Sequence, residues 1–430
     1  MGLYIGNTAI NKSYRASDAI SQSDLGGDVF RDGYIVMGLS VTAGSFYNSA
    51  TPSMWWFNGS TYFLGVEDKA TNQTVWIGKQ TGRNVTTTQV NTGTVTPEPL
   101  NHAAPCIYID EATGYIYVIQ SNLHVTFYNI WKSDSPEDIS AFTKVTGTFG
   151  SLSSYINLLK FSGTNCVFLV RAGGTSSYGN SVIEVNLADP TSYTQTYVAD
   201  SEFSTSNDRL YNIGVNRYGT SNYYLGGTNV REESNSANYM MCAWITQDFD
   251  TYENIGQTFS KNVVSTSPLT WSELTTNYDM FGSTATQTAY YGTHGMLQIN
   301  NDIYIIKTLA NVAVIEKYTI GTAEAVATYT FADLLGQEGD FYWYYNGTKI
   351  IITYLDRGVI PARFNRTYLA TINLDLTGFT DIMETNVDQD RIGLPWNMDD
   401  VPENTIYVWT GAKEGISGNI LYTITNNKFT

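Results

Sequence analysis

From about residue 30 onward the chain alternates short apolar runs with Gly, Asn and Asp punctuation. "SMWWFNGSTYFLGVED", "PCIYIDEATGYIYVIQ", "YINLLKFSGTNCVFLVR", "YNIGVNRYGTSNYYLGG", "GMLQINNDIYIIKTL" and "DFYWYYNGTKIIITYL" each read as a strand, a tight turn and a second strand. Most of these pairs lead into a third strand and often a fourth, as in "TVWIGKQT", "FYNIWKSD" and "YMMCAWITQD", so one unit occupies roughly 45 to 65 residues. Sheets of about four strands recurring at that period predict an all-β chain folded as a β-propeller. A β-helix needs shorter and more regular repeats, and a sandwich does not need so many equivalent hairpins.

Six units are distinct. A partial one, "TIYVWTG" with "NILYTIT", would be completed by "YIVMGLSV" near residue 34 and so close the ring, which predicts seven blades. Residues 1–27 differ from the rest: two short strands about a Gly-Asn turn, then a polar Ser/Asp/Gly run that reads as a linker. They are too few to bury a core of their own. The expected division is an attachment segment over 1–27 and a propeller over 28–430.

Composition supports this reading. Tyr contributes 32 residues and Gly 37 while charged residues make up only 15%, a mixture suited to strands and turns. The formal charge of -17 repels a phosphate backbone, so nucleic acid is not an expected partner. Cys106, Cys166 and Cys242 are odd in number and widely spaced, without the paired ligands of a structural zinc site, and read as buried free thiols. No basic segment leads into an apolar signal-like run, and no stretch is long and apolar enough to insert in a membrane.

The chain has 3 histidines, and two of them bracket a single hairpin in "NHAAPCIYIDEATGYIYVIQSNLH". Antiparallel pairing would bring His102 and His124 to the same end of one blade. A lone histidine more often caps a strand than works in catalysis; a matched pair at one end of a hairpin shifts that balance. The third, His294, precedes another first strand together with Tyr290 and Tyr291, and could reach the same face. The carboxylates Asp32, Glu67, Asp68, Asp110 and Glu232 could serve a glycosidase, but in so acidic a chain their presence decides nothing. Arg171, Arg231 and Arg363 could form the three-arginine set of a sialidase, without local sequence to support it. Trp55, Trp56, Trp131, Trp244, Tyr342, Trp343 and Tyr344 offer flat faces for sugars, though alternate positions of such runs must be core.

The segment "NHAAPCIYIDEATGYIYVIQSNLHVTFYNIWKSDSPEDISAFTKV" resembles the BNR-type propellers that include ulvan lyases and related polysaccharide lyases. Their pattern is a "D-H-N-P" segment, a glycine-turn hairpin, a second histidine and an "S-P-D-I-S-F" stretch. His102 and Pro105 match the first motif, His124 the second histidine, and Ser133, Pro136, Asp138, Ile139 and Phe142 the tail. A second stretch, "DRLYNIGVNRYGTSNYYLGGTNVREE", is similar to the family's tyrosine-bearing strand and its arginine-ended partner, with Tyr211 and Arg231 in those places. Ala103 replaces the usual Asn, the following Asp-box is degraded to "TQDFDTYEN" with Tyr252 for Trp, and the stretch between Tyr211 and Arg231 is longer than the family's. Read alone, Arg231 in "VREE" is a surface ion-pair residue.

The resemblance implies β-elimination on a uronic acid residue of a polysaccharide. Arg231 would hold the substrate carboxylate, and one histidine would help to neutralise it. The other histidine or Tyr211 would act as base, with Tyr211 returning a proton to the leaving oxygen. His294 and Tyr290 would line the substrate site. These steps need no metal or organic cofactor. "LYIGNTAINKSYRAS" resembles a short N-terminal motif of bacteriophage tail and adhesin proteins. It implies a phage tail appendage in the virion, acting outside the host cell. Residues 1–27 would meet other tail proteins while the propeller meets a polysaccharide on the bacterial surface. A glycan-binding adhesin without enzyme activity, a structural virion component and homo-oligomerisation stay open.

Overall fold

The structure is a computed structural model. It describes residues 3–5, 8–10, 19–20, 32–37, 54–69, 72–81, 84–91, 105–121, 128–150, 154–172, 179–200, 209–232, 238–280, 295–309, 312–335, 341–356, 366–385, 389–393, 405–412 and 420–425.

Apolar runs bounded by turn residues form six sheets that stand as blades, antiparallel except for one inner-edge strand of blade 5. Blade 1 is Met54–Phe57, Ser60–Lys69, Asn72–Thr81 and Asn84–Gln89 in that order; blade 2 is Cys106–Ile109, Ile116–Ser121, Tyr128–Ser133 and Phe142–Lys144. Blade 3 runs Ser154–Ser162, Asn165–Arg171, Asn180–Asn186 and Asp189–Ala199. Blade 4 has five strands, Arg209–Asn212, Tyr224–Glu232, Asn238–Thr246, Thr251–Glu253 and Ser260–Asn262. Blade 5 takes Val215–Tyr218 as its inner edge, followed by Met296–Ile299, Asp302–Leu309, Val312–Thr319 and Ala327–Leu335. Blade 6 is Phe341–Tyr345, Ile350–Asp356, Arg366–Ile372 and Thr380–Thr385.

This six-bladed arrangement corrects the expectation of seven blades. The runs counted as a seventh do pair, but in a sheet stitched from both ends of the chain, in the order Ala19–Ile20, Asp32–Met37, Ile420–Thr425, Thr405–Ala412, Gln389–Gly393. A count of hairpins takes this ring-closing sheet for one more consecutive unit. Leu3–Ile5 pairs with Thr8–Ile10 as a separate hairpin.

A second correction concerns "YNIGVNRYGTSNYYLGG", which reads as one hairpin. Arg209–Asn212 pairs with Tyr224–Glu232 inside blade 4, whereas Val215–Tyr218 leaves that sheet and runs parallel to Met296–Ile299 of blade 5. The glycine between them, Gly214, accepts the Met296 N–H at 2.6 Å and fastens the crossing.

Both sides of each blade are apolar because each is covered by a neighbour, so inner strands such as Cys106–Ile109 and Met296–Ile299 are buried at every position. One cluster joins Trp55 and Leu64 of blade 1 to Ile107 and Ile119 of blade 2 and Phe168 of blade 3. A second joins Leu169 of blade 3 to Leu210 and Trp244 of blade 4, and a third joins Met241 of blade 4 to Met296 and Ile305 of blade 5. All three cysteines lie buried and unbridged in this apolar material, and burial pushes the thiols upward in pKa.

The two ends of the ring differ. On the lower face, first and second strands of blades 1 and 3, and the hairpin Met296–Leu309 of blade 5, are joined by tight turns; Asn58 and Gly59 form a two-residue loop with φ of 46° and 74°, the geometry that matches strand twist. The lower turns between third and fourth strands hold an apolar residue in the left-handed region, Phe249 in blade 4 and Leu376 in blade 6, both at φ 62°. Asp248 Oδ1 accepts from the N–H of Asp250 and Thr251, and Asp375 Oδ1 from that of Thr377. These bonds, with burial of the apolar side chain, offset about 1–2 kcal/mol of backbone strain. The degraded Asp-box therefore still makes its turn, with Tyr252 buried in place of Trp and its hydroxyl donating to the Phe249 carbonyl. On the upper face, where first strands begin, the connections 92–104, 122–127, 173–178, 233–237, 281–294 and 357–365 lie outside the described residues.

Two cross-strand pairs set how flat a blade can be. Gly226 faces Trp244 in blade 4 and Gly78 faces Phe63 in blade 1, each ring lying over the glycine. A Cβ at Gly226 would stand 2.0 Å from Trp244 Cη2. Gly226→Ala, which in an unencumbered strand would be neutral or helpful, is expected to cost about 1–3 kcal/mol; a lowered midpoint in urea unfolding checks it.

Buried tyrosines set the alkaline limit of the fold. Tyr62, Tyr108, Tyr128, Tyr252, Tyr278, Tyr304 and Tyr318 are held above the ordinary phenol range, first by burial, and Tyr117 is pushed up to about 12 by burial and the charge of Asp110. Each folded value exceeds the unfolded value of about 10. The stabilisation is thus complete below about pH 10 and lost as pH rises through about 12. Tyrosinate absorbance is expected to rise in two stages, the second coinciding with loss of the near-ultraviolet circular dichroism.

Candidate functional site

Of the six positions singled out from the sequence, His102, His124, Tyr290 and His294 lie outside the described residues. The strand ends nearest them are described. Cys106 pairs with Ile119 in blade 2, so the two connections that carry His102 and His124 leave the upper end of that sheet together. Met296, which follows the connection carrying Tyr290 and His294, begins the antiparallel part of blade 5.

Tyr211 and Arg231 are described through their backbone. Tyr211 is the cross-strand partner of Asn229, and Arg231 is the partner of Arg209. Tyr211 and Arg231 are therefore diagonal neighbours on one side of the sheet, and Arg209 belongs to the same side. Which side this is follows from packing. Leu210 lies in the cluster shared with blade 3, whereas Met241, the next partner of Asn229, lies in the cluster shared with blade 5. The three positions thus flank the seam between blades 4 and 5 at the upper face.

Blade 5 contributes a charged group to the same seam. Lys307 follows Ile303 and Ile305 along one side of its strand, and both of these pack toward blade 4. Its ammonium pairs with Glu316 Oε2 at 2.6 Å and donates to the Met280 carbonyl at 2.8 Å; the two side chains keep only 6% and 14% of their exposure. The Tyr318 hydroxyl donates to the same Glu316 oxygen. Burial, that hydrogen bond and the charge of Glu316 hold Tyr318 protonated. The floor beneath is apolar, formed by Ile213, Met241 and Met296. At Gly227 a Cβ would lie 2.8 Å from the Cys242 carbonyl oxygen, a backbone atom that cannot swing aside, and 2.6 Å from Met296 Cε.

Two arginine positions directly opposite on one ladder stand out in a chain of net charge -17. Like charges so placed cost up to about 1 kcal/mol when nothing lies between them. An anion between them reverses the sign, and a carboxylate suits the planar guanidinium fork. Tyr211, one diagonal step away, is a group able to exchange a proton with whatever that anion belongs to.

Arg209 was not among the residues singled out, because in "NDRLYN" it reads as a turn residue and its partner is not visible. Lys307 left a signal in "YIIKTL", a lysine closing an apolar strand. Arg171 shows the same sign in "VFLVRAGG". It is 1% exposed in the seam between blades 3 and 4, its guanidinium 5.5 Å from the Tyr155 ring centroid. Tyr155 sits at φ 53° in a bulge of the first strand of blade 3. Asn157 Nδ2 in that strand donates to the Ile213 carbonyl at 3.1 Å, anchoring the chain just beyond Tyr211. Arg171 and Arg231 thus belong to different seams, and Arg363 lies outside the described residues. Among the described residues no cluster of three or more His, Cys, Asp or Glu has a metal-binding arrangement.

The chain is similar in structure to polysaccharide lyase Uly1, at 11% identity and a TM-score of 0.55 over 90% of this chain and 92% of that one. The fold is a β-propeller. Looser likenesses are to the WD40 domain of Toxoplasma gondii coronin (8% identity, TM-score 0.47, 93% and 88% covered) and to an alpha-L-arabinanase of Penicillium chrysogenum complexed with arabinobiose (12%, 0.43, 91% and 99%). No protein-family model matches the chain, and no curated protein matches it.

The ion pair beneath the seam yields a stability prediction. Lys307→Met leaves Glu316 buried with a phenol as its remaining described partner, and is expected to cost about 3–5 kcal/mol. The double variant Lys307→Met/Glu316→Leu is expected to recover most of that loss, as a double-mutant cycle in guanidinium unfolding would read.

Proposed function

We propose that the protein recognises an acidic polysaccharide at the upper face and cleaves it by β-elimination. The observation that carries this reading is the register that sets Arg209 opposite Arg231 with Tyr211 one diagonal step away. A uronate carboxylate between the arginines lowers the pKa of the carbon beside it. Tyr211, or a histidine of the upper connections, takes that proton. The C–H electron pair becomes a carbon–carbon double bond, the adjoining carbon–oxygen bond of the glycosidic linkage breaks, and the departing oxygen is protonated by Tyr211 or His124. No water is consumed, and one product carries an unsaturated uronate at its new end. One of His102 and His124 helps to neutralise the carboxylate and the other shares the proton traffic with Tyr211; His294 and Tyr290 hold the neighbouring sugar. The structural likeness to a polysaccharide lyase supports the fold on which this chemistry is proposed. In the same proposal residues 1–27 attach the propeller to a phage tail, and the polysaccharide is that of the bacterial surface.

The test is the ultraviolet absorbance of unsaturated uronate during incubation with a panel of acidic polysaccharides. The wild type is expected to produce it and Tyr211→Phe to slow it by about 10²–10⁴-fold. Arg209→Ala is expected to weaken substrate binding while raising thermal stability slightly, the opposite signs expected of a residue held against its like-charged neighbour for a ligand's sake. Retained glycan binding without product, in wild type and variants alike, would make the protein an adhesin; neither binding nor product would overturn the reading.

A further inference from the structure

The lower end of blade 3 carries a groove that the upper-face chemistry does not use. Its volume is about 410 Å³, within the range of about 300–1,000 Å³ typical of small-ligand sites. The register places Lys160, Val167, Glu184 and Thr194 in one row across blade 3, with Asn165 and Asn186 in the next row on the same side. All six line the groove, Val167 the one apolar residue among them, and Phe161, Val185 and Tyr193 add further apolar lining. The Lys160 ammonium lies 5.3 Å from the Tyr224 ring centroid and 5.8 Å from that of Phe249, which fixes an exposed lysine over the blade 4 side. The same Tyr224 ring has the Arg217 guanidinium at 4.4 Å. Among the described residues no carboxylate forms an ion pair with Lys160.

We propose that this groove is a second, non-catalytic subsite for the acidic polysaccharide. It takes one uronate residue, with its carboxylate at Lys160, its hydroxyls on Asn165, Asn186 and Thr194, and its apolar ring face over Val167. The proposal rests on the reading that the ligand is an acidic glycan, and adds that the chain is gripped on both faces of the ring. Glu184 opposes the carboxylate and limits the affinity, so the groove holds without trapping.

The experiment is calorimetric titration of the full chain with uronate oligosaccharides too short to reach both faces. The wild type is expected to bind two per chain, Arg231→Ala to keep only the lower-face event, and Lys160→Glu to weaken that event at least ten-fold. Glu184→Gln is expected to tighten it by about two- to five-fold. Lys160 and Glu184 are exposed, so neither variant threatens folding. A single event lost in Arg231→Ala and untouched in Lys160→Glu would overturn the groove and leave the upper site standing. A single event lost only in Lys160→Glu would do the reverse, and no binding by any uronate would sink both.

Discussion

Two-sided burial governs this molecule. A blade buries both faces only by standing between neighbours, so no sheet here is stable by itself and the chain must go round a ring to satisfy all of them. That requirement explains why strands such as Cys106–Ile109 carry no polar alternation and why aromatic rings lie flat over Gly78 and Gly226 on the adjacent strand of their own blade. It also explains where the polar chemistry goes. With the sheet faces committed to packing, ionisable groups appear at strand ends, where seams open to solvent.

The consequence for the site is that its walls are built by packing and its contents by register. Met241, Met296 and Ile213 pack between blades 4 and 5, and the pairing of Arg209–Asn212 with Tyr224–Glu232 decides which positions fall on that side of the sheet. The buried Lys307–Glu316–Tyr318 chain of contacts lies just below. It buries a cation and its counter-charge together at the base of the seam, net neutral, at the desolvation cost usual for such pairs.

The fold class was legible because a strand period of two, tight turns and a recurring unit all survive in a single sequence. "FNGS" foretells its two-residue turn, and "MLQINNDIYI" its hairpin. The blade count was not legible in the same way, because Asp32–Met37 and Ile420–Thr425 meet only through closure of the ring. Nor was the path of "YNIGVNRYG", since alternation reveals a strand but not which sheet receives it. For the site, Tyr211 and Arg231 could be named from motif likeness. Arg209 could not, because opposition across a ladder is a property of pairing and not of spacing along the chain. Lysine or arginine at the end of an otherwise apolar strand, as at Lys307 and Arg171, was the one local sign of chemistry in the seams.

Residues 209–218 bear on how the ring behaves under load. Within that short stretch the backbone pairs with blade 4, crosses and pairs with blade 5, accepts a bond from Asn157 of blade 3, and through Asn216 reaches the Trp343 carbonyl of blade 6. Four blades are thus riveted to one short stretch, while blades 1 and 2 are joined by side chains, Asn58 and Lys79 donating to Glu137 and Asn91 to Gln120, and the chain ends by a separate closing sheet. A ring fastened on one side and zipped on the other yields at the zip. A pulling force or a processive polymer chain would strip the closing sheet first, leaving the part of the ring that frames Tyr211 as the last to lose its shape.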